Sequence, residues 1–357
     1  MKQNRLERVL RGMDQMGLGQ LLVTATDSIY YLTGLWVNPG ERLLALKIDL
    51  SGACALYVNR MFALGARKGL ALVEFDDRDD SLAMLAGDLA PGRVGVDKLW
   101  SSHFAIRLME LRGDVRLAVG SKPVDEARML KDEEELVRLR AASRMNDQAV
   151  AAVARSLVSG DTERAVGRRF ADEGVRLGAQ GVSFTPLVCF GANCAEPHHD
   201  SDGTQLKAGD AVILDLGLDV DHAMSDMTRT VFFGAPTDEQ RRVYELVLRA
   251  NAAAKAAVRP GVPLKDIDRA ARAVIEEGGY GPAFLHRTGH GIGLAVHEPP
   301  DVSASSEYVA QPGMVFSIEP GIYLPGKFGV RIEDLVAVTE DGCEVLNELD
   351  REIMVIE

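Results

Sequence analysis

Apolar residues recur at helical spacing from the start of the chain: Leu6, Val9, Leu10, Met13 and Met16 share one face of a predicted helix over 4–16. Short apolar runs follow at 21–23, 43–48, 53–58 and 93–97, and stretches such as SLAMLAGDLA between them have helical texture. Strands and helices in alternation predict an α/β domain. Near residue 121 the texture changes. Pro123 and the acidic run DEEE mark the entry to one long helix, which places the domains at 1–126 and 127–357. In the second domain helices are expected at about 162–177, 237–257 and 264–278, among strand-like runs at 211–218, 228–233, 313–319 and 330–338. This is an α+β pattern of paired strands rather than a βαβ series.

A chain of 357 residues accommodates two such domains. With 46% hydrophobic and 26% charged residues it has the composition of a globular protein. The net charge of -13 argues against nucleic acid as a partner, because phosphate binding needs clustered Lys and Arg. The opening MKQNRLERVLRGMDQMG has no apolar core, so no secretory signal is expected, and no apolar run approaches membrane-spanning length. Cys54, Cys189, Cys194 and Cys343 are scattered and read as reduced thiols of a cytoplasmic protein.

The chemistry lies in where the acids fall. Asp215 interrupts the apolar run AVILDLGL, and Asp226 precedes the strand-like TRTVFF. A buried, ionised carboxylate is unfavourable by several kcal/mol unless paired or coordinated. An antiparallel hairpin would bring the two together, and Arg229 is the bland alternative partner. Glu319 in MVFSIEPGIY and Glu333 in GVRIEDLVAV repeat the pattern across PGIYLPGKFG, which reads as a turn. Between the two hairpins lies FLHRTGHGIGLAVHEPP, with His286, His290 and His297. Gly289, Gly291 and Gly293 disfavour a helix there, no HExxH is present, and GxGxG is not the dinucleotide spacing GxGxxG. Four carboxylates with one imidazole suit Mn, Co or Zn. They exceed the needs of one tetrahedral zinc, so two ions about 3.5–4 Å apart fit better.

At these residues the sequence resembles the metallopeptidases of the pita-bread fold: prolidase, aminopeptidase P and methionine aminopeptidase. LDLGLDVDHAMSDMTRT, HRTGHGIGLAVHE, SIEPGIY and GVRIED carry the resemblance, in that order. It implies an α+β pita-bread catalytic domain behind a smaller α/β creatinase-like N-terminal domain, two divalent metal ions per chain, and a homodimer. By the same resemblance Asp215 would bind one metal, Asp226 and Glu333 would bridge both, and His290 and Glu319 would complete the other shell. His198, in CAEPHHD, and His297 match the substrate-facing histidines, and His286 lines the pocket. His199 and His222 have no counterpart and read as surface or turn residues. Phe184, Phe190 and Tyr323 are possible pocket walls or plain core.

The implied reaction is hydrolysis of the bond between an N-terminal residue and proline by a water activated between two cations. Glu319 would orient the water and take its proton, while His297 or His198 would assist the developing oxyanion or the leaving nitrogen. A dipeptidase must also recognise a free carboxylate. Prolidases carry an Arg shortly after the HE of the histidine motif, whereas Asp301 stands there in HEPPDVSASSE. Arg42, in GLWVNPGERLLAL, is then the candidate cation, reaching the active site of a dimer partner. Xaa-Pro dipeptides are the first reading and longer Xaa-Pro peptides, as for aminopeptidase P, the alternative. A non-catalytic peptide-binding relative and a metal-free creatinase-like hydrolase are the remaining classes, and neither needs this acidic set.

Overall fold

Helix α1 (Gln3–Gln15) forms where the spacing predicts it, with Leu6, Val9 and Met13 buried along one face. A computed structural model describes residues 1–357 and divides them into two units, Met1–Arg128 and Met129–Glu357. The first unit continues through β1 (Gln20–Val23), α2 (Thr26–Thr33), β2 (Ala45–Asp49), β3 (Cys54–Asn59) and β4 (Ala71–Phe75). It closes with α3 (Ser81–Gly87), β5 (Gly92–Val96), α4 (Ser102–Leu111), β6 (Val115–Val119) and α5 (Lys122–Met129). Its sheet has the order β4-β3-β2-β1-β5-β6, with β1 antiparallel to β2 and parallel to β5. Leu22, Tyr57 and Val94 of the sheet pack with Leu85 of α3 and Leu108 of α4.

The long helix expected after residue 121 is two helices. Pro123 lies in α5, and Asp132 of the acidic run caps a new one, α6 (Glu133–Arg155). The Asp132 side chain accepts from Glu135 N while the Glu135 side chain accepts from Asp132 N, a reciprocal cap that satisfies donors a continuous helix would not expose. Lys131 N donates instead to Gly313 O at 2.8 Å. Gly313 has φ +88°, and a Cβ there would lie 2.9 Å from Lys131 O, so glycine permits this close approach.

The second unit continues with α7 (Glu163–Leu177), β7 (Gly181–Val182), β8 (Leu187–Phe190), β9 (Ala211–Leu216), β10 (Leu218–Val220), β11 (Ala223–Met224) and β12 (Met227–Phe233). Then come α8 (Asp238–Ala257), α9 (Leu264–Glu277), β13 (Gly289–Gly291), β14 (Glu298–Val302) and β15 (Val315–Ile318). It ends with β16 (Gly321–Leu324), β17 (Phe328–Arg331), β18 (Asp334–Val338), β19 (Cys343–Val345) and β20 (Met354–Ile356). Two sheets dominate, ordered β20-β12-β9-β8 and β14-β13-β15-β18-β19. PGIYLPGKFG is not a plain turn: it contains most of the hairpin β16–β17, whose residues are buried on both faces and so show no alternation, with Gly and Pro suggesting a turn instead. The run at 330–338 accordingly splits between β17 and β18.

One apolar core joins both sheets to the helices. Ile213 and Phe232 from one sheet and Phe316 and Val336 from the other pack with Val247 of α8 and Ile267 of α9. Each such side chain contributes about 1.5–3 kcal/mol on full burial. Helix α6 serves both sheets too, through Val150 and Val153 near β9 and β12 and through Leu139 and Ala142 near β15 and β18. The acidic residues flagged in the sequence therefore sit on or at the ends of strands locked by packing on either side.

Candidate metal centre

Strands β9 and β12 pair antiparallel with Thr228 opposite Asp215, and Asp226 stands immediately before β12. Strands β15 and β18 pair with Ile318 opposite Asp334, so Glu319 and Glu333 flank that pair. Two contacts tie the hairpins together. Glu333 N donates to Thr228 O at 3.1 Å, and Thr228 Oγ1 donates to Glu333 Oε2 at 2.7 Å. His290 lies on β13, where its N–H donates to Ser317 Oγ at 3.0 Å, and Ser317 Oγ in turn donates to Glu319 Oε1 at 3.0 Å. His290 Nε2 comes within 3.6 Å of Asp226 Oδ2 and 3.4 Å of Glu319 Oε1. Ligand atoms of Asp226, His290 and Glu333 lie within 4.8 Å of one another.

Asp226 Oδ1 and Glu333 Oε1 are buried with no hydrogen-bond partner. Burial raises the Asp226 carboxyl well above its ordinary range, and Glu333, Asp215 and Glu319 add to the effect. Glu333 is raised for the same reason, first by burial and then by Glu319 and Asp215. Burial also raises Glu319. Burial lowers His290 to about 4, which leaves a neutral imidazole ready to ligate. Buried carboxylate oxygens without donors are strongly unfavourable, and divalent cations satisfy them. Asp215, Asp226, His290, Glu319 and Glu333 all line one cavity of about 660 Å³, so the donor set fits hard or borderline divalent ions.

Arg331, which the sequence reading passed over, organises the rim of this set. Its Nη2 lies 2.5 Å from Asp215 Oδ2, its Nη1 donates to Tyr323 Oη at 2.8 Å and its Nε to Thr228 Oγ1 at 3.1 Å. His286 Nδ1 lies 2.7 Å from Arg287 O and so carries the proton that this carbonyl accepts. His286 Nε2, 2.7 Å from Tyr323 Oη, then accepts from the phenol. Arg229, the expected bland partner of the aspartates, is elsewhere: it pairs with Asp334 at 2.8 Å, together with Lys255 and Arg351. That leaves Asp226 with no arginine and Asp215 with a different one.

His198, His286 and His297 line the cavity, along with Phe184, Pro186 and Leu187. The His290 and His297 rings stand edge to face, centroids 4.2 Å apart. Partial burial and the neighbouring His290 and Arg287 lower His297 to about 4. Of the three aromatic residues considered as walls, Phe184 faces the cavity. Phe190 is core, and Tyr323 lies buried behind His286.

His199 is not a surface bystander. Its Nε2 lies 2.8 Å from Glu163 Oε2, and Glu163 is fully buried. Glu163 Oε1 accepts from Phe190 N and Asn193 Nδ2, and Oε2 also accepts from Asp202 N. Glu163 opens α7, where the helix N-terminus favours a carboxylate, but nothing local in the sequence announces partners so far along the chain. Arg42 belongs to the first unit, where its Nε and Nη2 both reach Asp77 at 2.9 Å.

Comparison with known proteins identifies the family and the fold. Residues 137–340 match metallopeptidase family M24, and residues 5–130 match the Creatinase/Prolidase N-terminal domain. An uncharacterized peptidase of Staphylococcus aureus is 34% identical over 359 residues, covering 97% of this chain and 99% of the relative. The crystal structure of recombinant prolidase from Thermococcus sibiricus superposes with a TM-score of 0.93 at 32% identity, covering 100% of this chain and 99% of that one. The X-Pro aminopeptidase from Thermotoga maritima gives 0.84 at 30% identity, covering 97% and 100%. The expected architecture, a creatinase-like domain followed by a pita-bread catalytic domain, is thereby met.

Proposed function

The chain belongs to metallopeptidase family M24, and from that premise we propose that it hydrolyses the peptide bond between an N-terminal residue and proline, with Xaa-Pro dipeptides as its substrates. The observation that carries this reading is the pair of partnerless oxygens, Asp226 Oδ1 and Glu333 Oε1, in a cavity that also presents His198 and His297. Asp215, Asp226, His290, Glu319 and Glu333 would hold two divalent ions, Mn, Co or Zn. When bound, such ions supply Lewis acidity and a nucleophilic water near neutral pH.

The chain's own groups do the rest. Ser317 fixes Glu319 through Oε1 and leaves Oε2 without a protein partner, placed to take the proton of the attacking water and return it to the departing proline nitrogen. A neutral His297 offers an N–H to the carbonyl oxygen as negative charge develops there. His198, exposed on the same cavity, is the second group in reach of the peptide. Phe184, Pro186 and Leu187 give an apolar wall suited to the proline ring, which has no N–H to satisfy.

Asp301, standing where prolidases carry an arginine, favours the second reading, an aminopeptidase P acting on longer Xaa-Pro peptides. A homodimer belongs to the proposal as well, and sedimentation equilibrium tests it. The deciding assay offers Ala-Pro, Ala-Pro-Ala and Met-Ala-Ala to protein supplied with Mn. Cleavage of Ala-Pro above the others supports the dipeptidase, and preference for Ala-Pro-Ala supports the second reading. Cleavage of Met-Ala-Ala alone defeats both. Purified protein without metal and without activation by Mn or Co would instead favour a binding protein or a creatinase-like hydrolase.

A further inference from the structure

Five carboxylates line the catalytic cavity, and the arginines there are Arg287 and Arg331. Arg331 is buried and its three nitrogens are engaged by Asp215, Tyr323 and Thr228. Arg287 is placed differently. It is half-buried between His286 and β13, and it borders both the cavity and a smaller side pocket with His297, Asp301 and Tyr308. Its Nη1 pairs with Asp301 Oδ1, and no protein group meets its Nε or Nη2. Those two nitrogens form the side-on face of a guanidinium, two parallel N–H groups that match a carboxylate. Asp301 is anchored on β14, directly across from the metal-site residue His290. Asp301 thus holds the arginine's far nitrogen, and Nε and Nη2 stay free of protein partners on a residue that lines the cavity.

We propose that Arg287 binds the C-terminal carboxylate of a dipeptide substrate through Nε and Nη2, with Asp301 positioning the guanidinium through Nη1. This rests on the Xaa-Pro reading and assigns what sets peptide length within it. An aspartate at position 301 is then no obstacle to carboxylate recognition: the cation stands just before β13, and the aspartate steadies it. An ammonium at 287 would keep the charge but not the fork.

The test compares Ala-Pro with Ala-Pro-amide, which has the same scissile bond and no carboxylate, on the Mn-loaded full chain. Arg287→Ala is expected to raise KM for Ala-Pro about 10- to 100-fold, the usual worth of charge-assisted hydrogen bonds, and to leave the amide within about two-fold. Arg287→Lys is expected to fall between Arg287→Ala and wild type on Ala-Pro. The amide reaction reports that the variants are folded and metal-loaded. Equal losses on acid and amide in both variants, or no change on Ala-Pro, overturn the assignment. Wild-type protein that cleaves neither substrate refutes the Xaa-Pro reading itself and this assignment with it.

Discussion

Arg331 Nη2 and Asp215 Oδ2 lie 2.5 Å apart, and the buried arginine also holds Tyr323 and Thr228. Thr228 is in turn the residue that donates to Glu333. One guanidinium therefore fixes the orientation of two carboxylates of the proposed metal set, one directly and one through a hydroxyl. Burial opposes the charge on Arg331, while Tyr323, Asp215 and Glu319 outweigh it and raise its pKa further. Arg331→Lys keeps the charge and loses the fork. It is expected to weaken metal binding or activity about 10- to 100-fold, as loss of a ligand's supporting partner usually does. Calorimetric titration with Mn checks this, and wild-type affinity together with wild-type kcat would show that the pair is passive.

Glu319 combines two tasks, since one oxygen is held by Ser317 and lies 3.4 Å from His290 Nε2 while the other has no protein partner. Glu319→Gln removes the proton acceptor and keeps the shape. The kcat is expected to fall about 10²–10⁴-fold, the range of general acid–base contributions, with substrate binding largely intact. Metal content must be measured alongside, because the same residue is a proposed ligand. A metal-replete variant with near wild-type kcat refutes the role.

The stability of the stripped protein is expected to depend on pH through its raised carboxyls. Asp226, Glu319 and Glu333 have carboxyls raised first by burial and further by acidic neighbours, Asp215 in each case. A raised carboxyl makes the folded chain bind more protons than the unfolded chain, so stability falls as pH rises from the unfolded value of about 4 through the folded one. Divalent ions compensate the charge that appears. The melting temperature of EDTA-treated protein is therefore expected to drop between about pH 5 and pH 8 relative to Mn-loaded protein, widening the gap between them. A gap of the same size at both pH values would show that the carboxyls are already ionised at the acid end.

What the sequence made legible follows from where each signal resides. Asp215, Asp226, Glu319 and Glu333 stood out because a charge inside an apolar strand is locally anomalous, and the structure gathers them with His290 in one cavity. Arg331 carried the same signal in GVRIED, an arginine two residues before Glu333, yet its partners Asp215 and Thr228 lie more than a hundred positions away and only the packing of β17 on β9 and β12 reveals them. The break between α5 and α6 was hidden because Pro123 and DEEE each suit a helix start, and the packing of Lys131 on Gly313 decides that there are two. Arg287 was invisible for a related reason: its meaning depends on its ion pair with Asp301, which the pairing of β13 with β14 brings near.

Glu163 and His199 give a prediction that the cavity lining alone would not. The Glu163 carboxylate collects donors from Phe190, Asn193, His199 and Asp202, and so closes the segment that carries His198. Glu163→Gln turns one acceptor oxygen into a donor facing donors. The expected loss is about 1–3 kcal/mol of stability, the penalty of an unsatisfied buried group, together with a raised KM as His198 loses its fixed position. Thermal melting and steady-state kinetics read the two effects separately. An unchanged KM in a folded variant would confine Glu163 to a structural role.

Arg42 separates two accounts of carboxylate recognition. Its side-on face is filled by Asp77, which also accepts from Asn59 Nδ2 at 2.8 Å, and Glu41 lies 3.1 Å from its Nη1. To serve a substrate in a partner's active site it would have to give up a bidentate pair, whereas Arg287, which lines the cavity, has no protein partner on that face. Arg42→Ala is therefore expected to leave the ratio of kcat/KM for Ala-Pro and Ala-Pro-amide unchanged, in contrast to Arg287→Ala. Assaying both variants on both substrates, in the same Mn-containing buffer, makes the comparison internal. A selective rise in KM for Ala-Pro in Arg42→Ala, with Arg287→Ala unaffected, would move substrate-length recognition to the first unit and require a second subunit to complete the site.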